Sequence, residues 1–209
     1  MLEAFNNNHI YKKIQKTYSM FLKDKLAFIS IIFLIFVLLI AIFGPSFTGN
    51  SFIKMNLRLR NLAPFSFDHH FMYFFGADAL GRSMIARLII ATQNTMFIAG
   101  SAVLLSMTFG GVFGLISGYF GGKIGNLIMR LADIIMSFPS LLLAVIVLYM
   151  FDPGLINLVL VLAFTRMPIY MRTARAEVLE IRERLFVSAA ISMGASNVRI
   201  IFKHIAPLT

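Results

Sequence analysis

The chain has 209 residues, of which 59% are hydrophobic and 13% are charged, and its mean hydropathy is +0.84. Soluble domains are about half apolar and about a quarter charged, so the composition excludes an ordinary water-soluble protein. The chain has no cysteine, which excludes disulfides and cysteine-ligated metal sites. Its net charge of +10 comes from basic residues that flank apolar runs, a pattern typical of membrane proteins and not of nucleic-acid-binding domains.

A basic tail and a first membrane helix are predicted at the N-terminus. Residues 1–25 carry five lysines and two acidic residues, which favours a cytoplasmic tail. The run from Leu26 to Phe43 has no charge and, at 1.5 Å per residue, nearly crosses a hydrocarbon layer of about 30 Å. It exceeds the apolar core of a signal peptide and lacks an A-x-A cleavage pattern, so a membrane helix is favoured over a cleaved leader.

The next segment is irregular. From Gly44 to about Leu80 it contains Pro45, Pro64 and many polar residues, and we expect an extracytoplasmic loop over about residues 44–90. Adjacent histidines at positions 69 and 70 have no third ligand at useful spacing, so a solvated loop is favoured over a metal site.

A second membrane helix of about 25 residues is predicted between Arg87 and Lys123, where no charge occurs. Ser106, Gly110, Gly114 and Gly118 recur at every fourth position and therefore share one ridge of this helix. Small residues let another helix approach closely in lipid. The ridge predicts either generic helix packing or a lining of the translocation pathway.

Two further apolar runs follow. Ile134–Phe151 predicts a third helix, kinked at Pro139 because proline removes a backbone hydrogen bond. After a turn at Asp152, Leu155 to about Met171 predicts a fourth helix that contains Arg166. An arginine at that depth either lines a polar pathway or anchors the helix at the interface, and both roles stay open.

The region after the fourth helix is basic and amphipathic. Residues 172–193 are expected to leave the membrane, within a cytoplasmic coupling region of about residues 172–198. Gly194 can end this helix, and Ser196 or Asn197 can cap a fifth that begins near the end of the sequence. Four crossings then place most basic residues inside, although the loop after helix one puts five of them outside and weakens the assignment.

Four blocks of the sequence, in order, resemble permeases of the dipeptide and oligopeptide ABC importer family. FGADALGRSMIARLI contains Gly76, Asp78, Gly81 and Arg82 and resembles the family's extracytoplasmic segment G-T-D-x-x-G-R-D-x-x-S-R. GYFGG, IMRLADIIMSFPSLLLA and RAEVLEIRERLFVSAAISMGASNVRIIFKHIAP follow, and the last resembles the family's EAA loop. FLKDKLAF before helix one resembles the C-type subunit of the permease pair.

Some positions depart from the family pattern. Ala77 and Ser83 stand where the family prefers Thr and Asp, and Leu185-Phe186 replaces a typical Asp-Tyr. Family members also continue beyond this length into helices five and six. The sequence is therefore expected to hold four full membrane helices and the start of a fifth in a permease domain over residues 26–209.

The resemblance implies an all-α bundle of the type I ABC importer permease kind in a bacterial inner membrane. It implies a heterodimer with a second permease, two ATPase subunits that bind ATP and Mg, and an extracytoplasmic solute-binding protein. The alternative is a truncated fragment that does not transport. The sequence contains no H-E-x-x-H, G-x-S-x-G or Walker motif, so we expect no enzyme activity, no metal and no catalytic residue in this chain.

The EAA-like segment is the candidate site for coupling to the ATPases. Phe186, Ala190 and Gly194 share one helical ridge, where small residues permit close approach. With the resemblance, docking of an ATPase is favoured over an amphipathic segment resting on lipid headgroups. The predicted coupling residues are Glu180, Phe186, Val187, Ala189, Ala190 and Gly194.

Overall fold

The computed structural model describes residues 24–66, 70–151 and 154–209. Within these ranges the chain forms helices and turns, with one isolated antiparallel bridge between Ala77 and Ser83 and no strand. The all-α prediction is confirmed. The predicted N-terminal tail up to position 23, His69 and the turn at Asp152 lie outside the described residues. The chain divides into two compact units, and the boundary falls between Met96 and Phe97.

The first unit contains helix α1, Lys25–Thr48, and the loop that follows it. Asp24 caps α1 because its carboxylate accepts hydrogen bonds from the N–H groups of Leu26 and Ala27, at 3.1 and 3.2 Å. The helix runs past the predicted end at Phe43. Pro45 lies near the C-terminus of α1, where the helix continues for less than one further turn, and the Thr48 hydroxyl donates to its carbonyl at 3.0 Å.

Helix α2, Met84–Phe120, is 37 residues long, and the unit boundary falls inside it. At 1.5 Å per residue it measures about 55 Å, well beyond the predicted 25-residue span. Since α1 ends at Thr48 and α2 begins at Met84, the segment between these helices is shorter than the loop predicted over about residues 44–90. Two 3₁₀ turns, Leu57–Leu59 and Phe71–Tyr73, lie within it.

The predicted third helix is wrong as a single element. Helix α3, Gly122–Ser137, and helix α4, Ser140–Met150, are separate and bend by 84° at the break. The break occurs at Phe138 and Pro139, because proline cannot donate the helical hydrogen bond and disfavours helical geometry in the residue before it.

The crossing predicted for Leu155 to about Met171 and the helical segment predicted over residues 172–193 are not divided at Met171 in the structure. Helix α5 runs without interruption over Leu155–Arg182, and the short helix α6, Leu185–Ser192, follows after Glu183 and Arg184. The last helical segment comprises Asn197–Arg199 (α7), a π-helical turn at Ile200–Ile205 and a 3₁₀ turn at Ala206–Leu208.

In the described residues, α1, α2 and α5 are long and apolar enough to cross a membrane, and the bent pair α3–α4 adds a fourth crossing if it counts as one span. The chain is thus a multi-pass membrane protein with three or four spans by length and composition. The large apolar side chains of α1 are mostly exposed, as expected for a helix in lipid.

Candidate functional site

The small-residue ridge of α2 lies directly against α5. The Ser106 hydroxyl donates to the carbonyl of Ala163 across the interface at 3.0 Å. At each of the three glycines that follow, an added Cβ would lie within 2.6–2.7 Å of an atom of α5. These glycines are Gly110, Gly114 and Gly118, which face α5 over two successive turns. Because glycine has no side chain, the backbones of α2 and α5 approach each other closely at these positions.

Guanidinium groups of α5 fasten the helices beside it. Arg172 pairs with Asp133 of α3 at 2.5 Å, and Arg175 donates to the carbonyl of Gly125 at 2.9 Å. Arg182 donates to the carbonyl of Tyr119 at the end of α2, also at 2.9 Å. The Arg182 bond satisfies a carbonyl in the last turn of α2, and the two bonds together favour one arrangement of α2, α3 and α5.

One face of α6 is buried in a hydrophobic cluster of the second unit. Val187 is 0% exposed and Ala190 is 3% exposed. The cluster contains Tyr119, Val178, Ile181, Val187, Ile200, Ile201 and Ile205. Val187 and Ala190, both predicted to form part of a docking core for the ATPases, therefore lie inside this chain and not on its surface, because the cluster packs around this face of α6.

The opposite face of α6 is exposed and apolar. Leu185 is 87% exposed and Met193, directly after the helix, is 81% exposed. Phe186 and Ala189, both predicted coupling residues, are also on this exposed side. The sequence reasoning missed Leu185 and Met193. The sequence did contain an indication of these two residues, since apolar residues on either side of a short helix outside a membrane span are candidates for a contact surface.

The ends of α6 are fixed by local bonds. Gly194 has φ +78°, a conformation that glycine adopts without strain, and its N–H donates to the carbonyl of Ile191 at 2.9 Å. Ser196 caps the next helix through a bond from the N–H of Arg199 at 3.4 Å. The Tyr119 hydroxyl donates to the Asn197 side chain at 2.9 Å. Gly194 thus turns the chain so that the last helical segment packs back on α6.

Glu180, another predicted coupling residue, pairs with Arg184 at 2.7 Å across the break between α5 and α6. The two side chains are 68% and 53% exposed. Exposed pairs of this kind contribute about 0–1 kcal/mol to stability. The pair therefore affects the surface charge between α5 and α6 more than the stability of the fold.

Arg166 lies beside the break between α3 and α4. It lines a cavity of about 320 Å³ together with Pro139, Ser140 and Thr165. Arg166 belongs to α5, and its guanidinium has no ion pair among the residues that the structure describes. Three of the eight residues that line the cavity are polar, namely Ser140, Thr165 and Arg166.

The loop of the first unit is organised around Asp78. One carboxylate oxygen accepts from the N–H groups of Leu80 and Arg82, both at 2.9 Å. The other accepts from the guanidinium groups of Arg82 and Arg87, with N–O distances of 2.7 Å. Gly81 has φ +72°, and an added Cβ would lie 1.8 Å from the carbonyl oxygen of Asn56. We call residues 76–83 the Asp78 turn.

These bonds set the charge state of Asp78. The N–H of Arg82 is the main cause that lowers the pKa of Asp78 from 3.8 to about 2. Burial acts in the opposite direction, while the Arg82 side chain and the N–H of Leu80 lower the pKa further. The carboxylate is therefore ionised throughout the physiological pH range.

The Asp78 turn leads directly into α2. Gly76 has φ +80° and packs against the backbone at Leu62, where its missing Cβ would lie 2.3 Å from the carbonyl oxygen. Ser83 is fully buried, donates from its hydroxyl to the carbonyl of Met72 and accepts from the N–H of Ala86 at 3.2 Å. Serine thus caps α2 at the position where the resembled segment has aspartate.

No group of three acidic or histidine side chains that could hold a metal lies within the described ranges. His70 has a structural contact instead, because its Nδ1 accepts from the N–H of Met72 at 3.3 Å at the start of a 3₁₀ turn.

Two family models match the sequence. Residues 110–209 match the binding-protein-dependent transport system inner membrane component, and residues 14–64 match the N-terminal TM domain of oligopeptide transport permease C. The first match contains most of the glycine ridge, α3 to α6 and the last helical segment. The second contains α1 and the beginning of the loop after it.

The chain is similar to several curated proteins that are named as transport system permeases. The dipeptide transport system permease protein DppC of Alkalihalophilus pseudofirmus is 37% identical over 185 residues, which are 88% of this chain and 59% of that protein. The oligopeptide transport system permease protein OppC of Bacillus subtilis is 33% identical over 90% of this chain and 60% of that protein. The glutathione transport system permease protein GsiD of Pectobacterium atrosepticum is 33% identical over 65% of this chain and 45% of that protein. The chain thus spans about three fifths of the length of the first two relatives.

Proposed function

This chain belongs to the family of dipeptide and oligopeptide ABC transport permeases, as a subunit of the C type, and from that premise we propose that it forms part of the membrane pathway of an importer for peptides or similarly small solutes. A second permease subunit completes the pathway by alternating access. Two ATPase subunits that bind ATP and Mg drive it, and an extracytoplasmic solute-binding protein delivers the solute. The chain lies in a bacterial inner membrane with its N-terminus in the cytoplasm.

The observation that carries this proposal is the two-faced environment of α6. Val187 and Ala190 hold the helix rigidly to the rest of the unit, while Leu185 and Met193 expose apolar side chains beside it. A rigid helix with an exposed apolar face suits the transmission of motion, because a partner that grips it moves the helices behind it. We assign ATPase docking to this exposed face, with Phe186 and Ala189 within it.

The proposal also assigns a place to Arg166. The guanidinium lines the cavity at the α3–α4 break beside Ser140 and Thr165, and an ionisable side chain within a membrane span is a candidate for the wall of a transport route. We assign Arg166 to the wall of the translocation pathway, where it contacts polar groups of the passing solute.

Crosslinking tests the docking face directly. Because the chain contains no cysteine, Met193→Cys introduces a single reactive thiol. In the fully assembled complex, a short bifunctional reagent should link the thiol at position 193 to an ATPase subunit. A matched control is Leu127→Cys on α3, where the leucine is 61% exposed, and this variant should not give that product.

Transport is measured in proteoliposomes with the partner permease, the ATPases and the binding protein. We expect Met193→Asp to reduce ATP-dependent peptide uptake at least tenfold, while the amount of folded chain is unchanged. Crosslinks from position 193 to lipid alone, or full uptake by Met193→Asp, would refute the docking role. Docking without any uptake by the unmodified chain would refute the importer activity itself.

A further inference from the structure

Residues 53–60 alternate strictly between apolar and polar side chains, in the order Ile-Lys-Met-Asn-Leu-Arg-Leu-Arg. Three of the apolar side chains are 59–71% exposed, namely Ile53, Met55 and Leu57. The three cations between and after them are exposed as well, and none forms an ion pair in the ranges that the structure describes. These cations are Lys54, Arg58 and Arg60. We call residues 53–60 the basic ribbon.

The Asp78 turn holds the backbone of the basic ribbon in place. The N–H of Asn56 donates to the carbonyl of Leu80 at 3.2 Å, and the N–H of Asn61 donates to the carbonyl of Asp78 at 3.1 Å. Gly81 touches the backbone of Asn56 so closely that no side chain fits between them. The backbone of the ribbon is thus bonded to the Asp78 turn, while the three cations and three of the apolar side chains remain exposed.

The basic ribbon lies close to a membrane surface. It begins five residues after the end of α1 at Thr48, so even a fully extended connection spans at most about 18 Å. The connection is shorter than that limit because it is built from tight turns, with bonds from Ser51 to Thr48 and from Ile53 to Asn50. The ribbon is therefore within reach of the headgroups that surround the end of α1.

We propose that the basic ribbon binds anionic phospholipid headgroups. Lys54, Arg58 and Arg60 contact headgroup phosphates, while Ile53, Met55 and Leu57 enter the boundary of the acyl chains. An interleaved set of cations and exposed apolar groups beside a membrane helix fits a lipid interface, because each cation reaches phosphate while its apolar neighbours leave water. An acidic protein surface would satisfy the cations and leave the apolar groups exposed. The binding does not depend on the transport function.

A single environment-sensitive label tests this inference. Leu57→Cys is labelled with nitrobenzoxadiazole in the otherwise cysteine-free chain, and the assembled complex is placed in nanodiscs of phosphatidylcholine with or without about 30% phosphatidylglycerol. The rate at which aqueous dithionite reduces the label reports its exposure to water. We expect slow reduction in discs that contain phosphatidylglycerol and fast reduction in phosphatidylcholine alone or at high salt.

The cations are then neutralised together as Lys54→Gln, Arg58→Gln and Arg60→Gln. Each cation near an anionic surface contributes about a fivefold preference, so we expect the triple variant to lose about a hundredfold in protection of the label. The charge-preserving set Lys54→Arg, Arg58→Lys and Arg60→Lys should retain that protection, which separates charge from folding.

Three outcomes would count against the inference. The first is equal exposure of the label with and without phosphatidylglycerol. The second is protection that appears only when a solute-binding protein is added, since that result would assign the ribbon to a protein partner. Protection that is lost in the charge-preserving set as well would show a disturbed loop and count against headgroup binding.

Discussion

Replacing Gly114 by alanine adds one methyl group at the closest contact between α2 and α5. The new Cβ would lie 2.6 Å from the Cβ of Ala174 and 2.7 Å from the carbonyl oxygen of Met171. Carbon atoms in contact are ordinarily about 3.5–4.0 Å apart, so the two helices must separate by about 1 Å here. We expect the free energy of unfolding to fall by about 1–3 kcal/mol, the usual cost of an added methylene in a filled interior.

Gly111 offers a matched control on the same helix. An added Cβ at Gly111 would meet no atom within 4 Å. Alanine is also a better helix former than glycine by about 1 kcal/mol, so Gly111→Ala should melt at the same temperature as the unmodified protein or higher. The comparison isolates the contact with α5 from the general effect of changing a glycine.

Thermal unfolding of the assembled complex in detergent, followed by circular dichroism, measures both variants. The double variant Gly114→Ala with Ala174→Gly removes one of the two close contacts and leaves the carbonyl of Met171 in place. Since Ala174→Gly itself costs about 1 kcal/mol in a helix, the loss caused by Gly114→Ala should be smaller when it is measured against Ala174→Gly alone than against the unmodified protein. If Gly114→Ala melts at the same temperature as Gly111→Ala, the close approach of α2 and α5 is refuted.

Two further variants test the Asp78 turn and α6. Asp78→Asn should lower the melting temperature at neutral pH, and its difference from the unmodified protein should shrink as the pH falls from about 4 to about 2. The reason is that a carboxylate whose pKa is lowered to about 2 from 3.8 stabilises the folded state only while it is ionised, so a pH-independent difference would contradict this role. Val187→Ala, at a fully buried site, should lower the free energy of unfolding by about 2 kcal/mol. Leu185→Ala, at an 87% exposed site, should change the free energy of unfolding by less than about 0.5 kcal/mol while it reduces ATP-dependent uptake. Equal destabilisation by Val187→Ala and Leu185→Ala would contradict this orientation of α6.

Features that depend on local spacing were predictable from the sequence. Charge-free runs located α1 and α2 because a chain segment in lipid must avoid charge over about 20 residues. The four-residue spacing from Ser106 to Gly118 identified one ridge of α2, and the structure places that ridge against α5. Gly194 was recognised as a helix end because a positive φ there suits glycine, and its φ is +78°.

Features that depend on distant partners were not predictable. The basic residues after Met171 predicted that the chain leaves the membrane there, but not that one helix continues to Arg182 with Arg172, Arg175 and Arg182 bonded to partners 39–63 residues away. A proline in the sequence indicates a break but not its angle, so the 84° bend at Pro139 could not be predicted.

The orientation of α6 was also beyond local reasoning. An eight-residue helix that is apolar on both sides has no preferred inner face until its neighbours are known. The cluster of Tyr119, Ile181 and Ile205 selects the side with Val187, and leaves Leu185 outside. Ala190 therefore lies on the inner side of α6, where the spacing of small residues alone could not place it.

The close packing of α2 residues 106–118 on α5 restricts how this part of the protein can change shape. Two helices that touch backbone to backbone slide past each other only by first moving apart, which a shared ridge of glycines and the anchoring arginines oppose. We therefore expect α2 residues 106–118 and α5 to move together as one rigid unit. In the transport cycle that we propose, the helix breaks at Phe138-Pro139 and Glu183-Arg184 are therefore the places where rearrangement is expected.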